Sequence, residues 1–327
     1  MEHGPRVSMG LPVYNGENFL ERQLESLLSQ TFTDFELVIS DNASEDRTEE
    51  ICRRFAERDP RIRYHRSDVN HGLAWNWNRV FELSRAPYFK WVAHDDEHAE
   101  TFVERCVEVL DADPTVVCCH SATVDVDPEG REIRQWPART LPASERPSVR
   151  LADMLKPYPA FQVYGLMRRS VLAETGLHRP IPEIDHALLA EVALRGRIVE
   201  LPEPLFRRRE HPARSVRAFT TARARRELYR DPTAGRARVA DWPGVQLSTE
   251  MVRAVREAPV RGRERVLCWL ALRHWLARDV RRLGAHLVRE ALARAGREDL
   301  LVDTGLAAHL RARLPRRGRS GGDSASA

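Results

Sequence analysis

The chain has 327 residues, 42% hydrophobic and 31% charged, with a formal net charge of +4; it is long enough for one large domain or two modest ones around a substantial core. No apolar run approaches the roughly 20 residues of a membrane-spanning helix. The five cysteines show no CxxC spacing, which argues against a zinc site or a disulfide framework and for reduced core thiols. The charge is uneven: residues 1–150 carry 18 basic and 28 acidic side chains, the remainder 34 and 20, so the two parts stand at −10 and +14. Such asymmetry implies different surroundings for the two parts.

The N-terminal residues MEHGPRVSMG lack the basic-then-apolar order of a signal peptide, and a cytoplasmic location is the expectation. Val7, Met9 and Leu11 read as a strand closed by Pro12, and Leu20, Leu24, Leu27 and Leu28 recur at helical spacing. Phe35 to Ser40 is a second strand, DNASEDRT supplies turn and capping residues, and a helix follows from Thr48 to Glu57. Arg61 to His65 is a short strand, Gly72 to Leu83 a helix and Tyr88 to Ala93 a strand. This β-α alternation predicts an α/β fold with a mostly parallel sheet and right-handed crossovers.

Residues 100–112 read as a helix, VVCCHSATVDV as a strand, and Asp127 to Gly130 as a turn into another extended piece. From Arg139 to Pro159 the proline content rises and the pattern fades, which predicts a mobile loop or linker. Structure is expected again at Ala160 to Met167, with helices near Ser170 to Thr175 and Ala187 to Arg195. IVELPEPLFRRREH reads as a strand interrupted by prolines. Val266, Trp269, Leu272, Trp275, Leu276, Val280, Leu283 and Leu287 then sit at helical spacing with arginines between them. They predict a basic helical appendage over 221–314, and a disordered tail is expected at 315–327.

In an open parallel sheet, ligands bind outside the carboxyl ends of the strands. Pro12 to Asn15, Ser40 to Ala43 and His94 to Glu97 each follow an expected strand and are therefore expected to line one crevice. Adjacent carboxylates there can divide the work, one on a hard divalent cation and one on a hydroxyl. Mg²⁺ or Mn²⁺ takes one or two protein carboxylates and shares diphosphate oxygens, which is the chemistry of a nucleotide-diphosphate donor site. Taken alone, Asp95, Asp96 and Glu97 serve equally as a charged helix cap, at roughly 0.3–1 kcal/mol per dipole contact. His71, His94 and His98 match no common zinc spacing.

The blocks PVYNGENFLERQLESLLSQTFTDFELVISDNASEDRT, NHGLAWNWNRVFELSRAPYFKWVAHDD, VYGLMRRSVL and IDHALLAEVALRGRIVELPEPLFRRREH together resemble the family 2 glycosyltransferases, which have the GT-A fold, a Rossmann-like sheet flanked by helices. The likeness covers residues 5–215. It implies a catalytic domain over 1–220, with a nucleotide-binding half to about residue 98 and an acceptor half from 99 onward.

By that resemblance, Pro12, Tyr14 and Asn15 lie at the nucleoside site and Asp41 binds the base, a carboxylate suiting the uracil imide N–H. Asn70, Gly72 and Asn78 fall at the family's nucleotide-proximal block, Asp95 at the ribose-side acid, and Asp96 at the ligand of a divalent metal, Mn²⁺ or Mg²⁺. His211 matches an element that approaches the metal or the diphosphate. Asp185 matches the general base, with Glu183 a competitor two positions away.

Arg207, Arg208 and Arg209 are candidates to neutralise the leaving diphosphate or, equally, a solvated edge. Among the tryptophans, Trp91 reads as core, whereas Trp75 and Trp77 lie two apart on a helix and point in different directions. The sequence departs from the family in having Ala93 where an additional acid is frequent and Trp77 where an arginine is frequent.

The implied activity is a metal-dependent, inverting transfer from a nucleotide-sugar, UDP-linked by resemblance, to a hydroxyl acceptor: a glycan, a lipid-linked compound or a small molecule. A sugar nucleotidyltransferase would show a denser glycine loop than GLPVYNGENF, and a nucleotide-binding pseudoenzyme is the other alternative. The scattered arginines form no nucleic-acid reader motif. The C-terminal helices admit packing, oligomerisation or contact with the inner face of a membrane.

Overall fold

The computed structural model describes residues 4–139, 141, 144–212 and 243–294, with backbone alone at 243, 244 and 279–294. β1 (Val7–Val13), β2 (Phe35–Asp41), β3 (Ile62–Arg66) and β4 (Tyr88–Trp91) run parallel. They alternate with α1 (Leu20–Leu28), α2 (Thr48–Arg58) and α3 (Leu73–Leu83). Every residue of β1 and β2 is buried, as expected of strands covered on both faces. α1 turns Leu20, Gln23, Leu24 and Leu27 inward, the three-and-four spacing of a helix face.

β5 (Glu97–His98), α4 (Phe102–Ala112), β6 (Val116–Val126) and β7 (Glu132–Trp136) follow. Next come α5 (Pro147–Met154), a 3₁₀ turn at Phe161–Tyr164, β8 (Leu166–Arg168), α6 (Arg169–Leu172), α7 (Ile184–Arg195) and β9 (Arg197–Arg209). Among the described residues the nine strands form one sheet in the order β3-β2-β1-β4-β8-β6-β9-β5, with β7 on β6. β6 and β9 are parallel; β8 is antiparallel to β4 and β6, and β5 to β9. One core lies between the sheet and α1, α2 and α4; a second packs α3 and α7 on the other face around Phe81, Phe89, Trp91 and Leu188.

Two expectations are corrected. The loop expected over 139–159 contains α5: Pro147 stands in its first turn, where a missing N–H costs nothing. Leu151 and Met154 are buried, and Arg150 Nε donates to Ala193 O at 2.6 Å. The prolines do not interrupt β9. Its pairing with β6 skips from Leu201 opposite Ser121 to Phe206 opposite Thr123, so Pro202 and Pro204 occupy the stretch that owes that neighbour no hydrogen bond.

The five cysteines are buried and free. α8 (Pro243–Glu257) and α9 (Gly262–Arg294) form the C-terminal helices. The chain divides into two compact units, Met1–Trp275 and Leu276–Ala327. α8 lies in the first and packs on α7; the described residues of the second are helical. The expected tail at 315–327 and the boundary near 220 lie outside the described residues.

Candidate functional site

β1, β2 and β4 end on the same side of the sheet, with Val13 opposite Asp41 and Gly10 opposite Trp91. Beyond β4 the chain turns through His94, Asp95 and Asp96 into β5, whose Glu97 pairs with Arg207 of β9. That pairing lays Arg209 to His211 beside the acids. Arg209, fully buried, holds the turn: its backbone N–H donates to Asp96 Oδ1 at 2.9 Å and its Nε to Asp95 O at 3.1 Å. Its Nη1 donates to Asp127 O and Pro128 O at 2.9 and 2.8 Å, and its Nη2 binds Glu97 Oε1.

Asp95 Oδ2 lies 2.9 Å from His211 Nε2, and the imidazole packs on Phe19. The resemblance placed the ion on Asp96 and the ribose on Asp95. Asp96 is 3% exposed, with one oxygen accepting from the backbone of β9, and the Asp95 side chain keeps 15% and faces the imidazole. The Asp95–His211 pair offers one oxygen and one nitrogen donor within reach of a single ion. Among the described residues no cluster of three His, Cys, Asp or Glu side chains could hold a metal. Two protein donors suit Mn²⁺ or Mg²⁺ completed by diphosphate oxygens and water, Mn²⁺ accepting imidazole more readily. His98 turns away from the acids into the core, 2.7 Å from Lys90 Nζ.

Asp41 lies at the end of β2. It is fully enclosed, with Oδ1 accepting Ser44 N–H at 2.9 Å and Oδ2 accepting the Tyr64 hydroxyl at 2.7 Å. Burial, then Asp41 itself, raises the Tyr64 phenol pKa and keeps that donor protonated. Through these bonds Asp41 shapes the loop that follows β2. Ser44 passes this order on, its Oγ accepting the N–H of Asn15, a residue at φ 51°. Asn15 Oδ1 in turn accepts Glu45 N–H at 2.9 Å. Pro12 is buried within β1 opposite Ser40, and Tyr14, just past the strand, is exposed.

Asn70 Oδ1 accepts Asn42 Nδ2–H and Gly72 N–H, both at 2.8 Å, while Asn42 Oδ1 accepts His71 N–H at 3.0 Å. Gly72, at φ 88°, makes the turn into α3 that a side chain would strain. The Asn78 amide bonds the backbone of His178, donating to O at 2.8 Å and accepting N–H at 3.0 Å. Trp77 lies inward against Trp91, Tyr164 and His178, whereas Trp75 is exposed and stacks on His71 at 4.2 Å.

Asp185 stands in the first turn of α7. Loss of water around it, then the charge of Glu183, raises its pKa to about 6, although its side chain remains 38% exposed. His178 Nδ1 is 3.7 Å away. Burial lowers the His178 pKa to about 3, so that ring is neutral at pH 7 and does not counter the carboxylate. The loop bearing His178 is tied to α3 by Asn78 and to α8 by an Arg179–Glu250 ion pair.

The structure thus forms three groups: Asp95, Asp96 and His211; the loops of Tyr14, Asn15, Asp41, Asn70 and Gly72; and Asp185 with the Asn78–His178 clamp. Arg207, Arg208 and Arg209 all bind protein acids or carbonyls. Sequence reasoning missed His178 and the organising roles of Asn42 and Arg209. For Asn42, the available signal was a turn-forming residue directly after a strand end.

The family model described as Glycosyl transferase family 2 matches residues 8–176. The chain is 31% identical over 136 residues to a chondroitin synthase of Pasteurella multocida, covering 41% of this chain and 14% of that protein, and so spans only a small part of such relatives. Residues 1–349 of S. aureus TarS, crystallised with UDP-GlcNAc, superpose with a TM-score of 0.58 at 16% identity, covering 83% of this chain and 71% of that one. PcManGT, a mannosyltransferase of Pyrobaculum calidifontis crystallised with GDP-Man and Mn²⁺, superposes with a TM-score of 0.50 at 19% identity, covering 95% and 86%. Both likenesses concern the fold.

Proposed function

The chain belongs to glycosyl transferase family 2, and from that premise we propose that it moves a sugar from a nucleotide-sugar donor, UDP-linked, to a hydroxyl acceptor by a single inverting displacement. The observation that carries the reading is the Asp95–His211 pair, held by Arg209 at the strand ends. The TarS complex with UDP-GlcNAc and the PcManGT complex with GDP-Man and Mn²⁺ support a nucleotide-sugar and a divalent ion on this fold.

Asp95 and His211 are the residues that would hold the ion; once bound, it supplies positive charge to the diphosphate. Arg209, bonded to the Asp96 carboxylate and the Asp95 carbonyl, holds the turn that carries the Asp95 carboxylate. Tyr14 and Asn15, at the end of β1, and the stitched turn of Asn42, Asn70 and Gly72 form the nucleoside side of the crevice. Asp185, with a pKa of about 6, is largely ionised at neutral pH and accepts the acceptor's proton as the hydroxyl oxygen attacks the anomeric carbon. The bond to the diphosphate oxygen breaks as the new glycosidic bond forms. The diphosphate leaves with that electron pair and the proton remains on Asp185.

Calorimetric titration of UDP with and without Mn²⁺ tests the site. The expected result is metal-enhanced binding, lost at least tenfold in Asp95→Asn and in His211→Ala. UDP affinity indifferent to Mn²⁺ in the wild type would overturn the assignment.

A further inference from the structure

α9 is not wholly absorbed by packing. Within the first compact unit, Cys268 and Leu272 are buried, and Glu264 turns inward to accept from Ser148 Oγ at 2.6 Å and Arg146 Nε at 2.9 Å. The opposite strip of the same helix carries Arg263, Val266, Trp269, Leu270, Arg273 and His274, all exposed. Val266, Trp269 and Leu270 keep 59%, 37% and 43% of their accessibility. These positions follow the three-and-four spacing that places residues on one helical face. Glu264 is the only acid from Gly262 to Trp275, so the exposed strip has no carboxylate.

An exposed tryptophan and aliphatic pair flanked by arginines, with the acid turned inward, matches an anionic bilayer surface in both polarity and charge. Tryptophan favours the headgroup level, and arginine can keep its head among phosphates while its stem covers apolar surface. A second copy fits less well: a two-fold contact would set Arg263 and Arg273 against the same arginines with no acid on the strip to pair them. No helix among the described residues is long and apolar enough to cross a membrane, which leaves an in-plane contact. We propose that this face of α9 docks the protein on membranes rich in anionic lipid, independently of the reaction assigned above.

The test is co-sedimentation of the full chain with vesicles of phosphatidylcholine alone and of phosphatidylcholine mixed with phosphatidylglycerol, at low and high salt. Binding is expected only to the anionic vesicles and is expected to weaken with salt. Arg263→Gln with Arg273→Gln is expected to lower the partition coefficient about 25-fold, and Trp269→Ser with Leu270→Ser by roughly tenfold or more. UDP affinity, read on the same samples, is expected to stay at the wild-type value and serves as the folding control. Absence of binding to anionic vesicles, or equal binding by both double variants, overturns the proposal. So does a wild-type dimer in sedimentation velocity that either double variant dissociates, because it assigns the strip to a second copy.

Discussion

Replacing Arg209 by methionine keeps most of the stem's packing and removes the fork that binds Glu97 and the carbonyls of Asp95, Asp127 and Pro128. Breaking a buried ion pair from one side costs about 3–5 kcal/mol. The Arg209 side chain is 1% exposed but Glu97 keeps 23%, so water recovers part of the loss and the lower end, about 3 kcal/mol, is expected. Urea unfolding followed by circular dichroism measures it. The metal-enhanced UDP affinity is expected to fall as well, because the Asp95 carbonyl loses its anchor. Arg209→Lys retains charge without the fork and should lie between the two. A loss below about 1 kcal/mol, the scale of an exposed pair, together with unchanged UDP binding, would refute the role given to this guanidinium.

Asp185→Asn is expected to lower turnover by roughly 10²–10⁴ while leaving UDP affinity within a few-fold, as for removal of a general base. Because Asp185 must be ionised to accept a proton, the wild-type rate is expected to fall as pH drops through about 6; a rate flat to pH 4.5 would remove it as the base. Asn78→Ala leaves the His178 N–H and carbonyl without their partner and should cost about 1–3 kcal/mol in the same urea assay. A null effect would mean that the clamp does not hold the loop. Full burial lowers the Lys90 pKa to about 7, against about 10.4 unfolded. Between those values the unfolded chain binds the additional proton, so this group's contribution makes stability rise with pH. The wild-type curve minus that of Lys90→Met should therefore climb from about pH 7 to 10, and a flat difference would show that Lys90 keeps its charge in the fold.

The alternation of β1 to β4 with α1 to α3 was legible because strands buried on both faces and helices buried on one leave distinct periods in the sequence. Proline-rich 139–159 was misread because Pro147 stands at the one helical position that tolerates it. The convergence of the strand-end loops was legible, but how Asp95 and Asp96 are held was not. Asp95 and Asp96 are neighbours in the chain, and the Asp95 carbonyl and the Asp96 carboxylate are held by Arg209, more than a hundred residues away, through the β5–β9 pairing. The same long reach hid Arg209 within an arginine run that reads locally as a solvated edge. Asn78 was legible as important through the resemblance, yet its partner His178 lies across a loop with no local signal.

Nucleoside diphosphate release from a panel of UDP-, dTDP- and GDP-sugars, with Mn²⁺ or Mg²⁺ and then with EDTA, for the wild type, Asp95→Asn and Asp96→Asn, tests the metal-dependent transfer most directly. The expected result is release from the UDP-sugars that requires the metal, is abolished in Asp95→Asn, and is reduced but measurable in Asp96→Asn. Release that persists in EDTA, or that survives Asp95→Asn while failing in Asp96→Asn, would contradict the site built on Asp95 and His211.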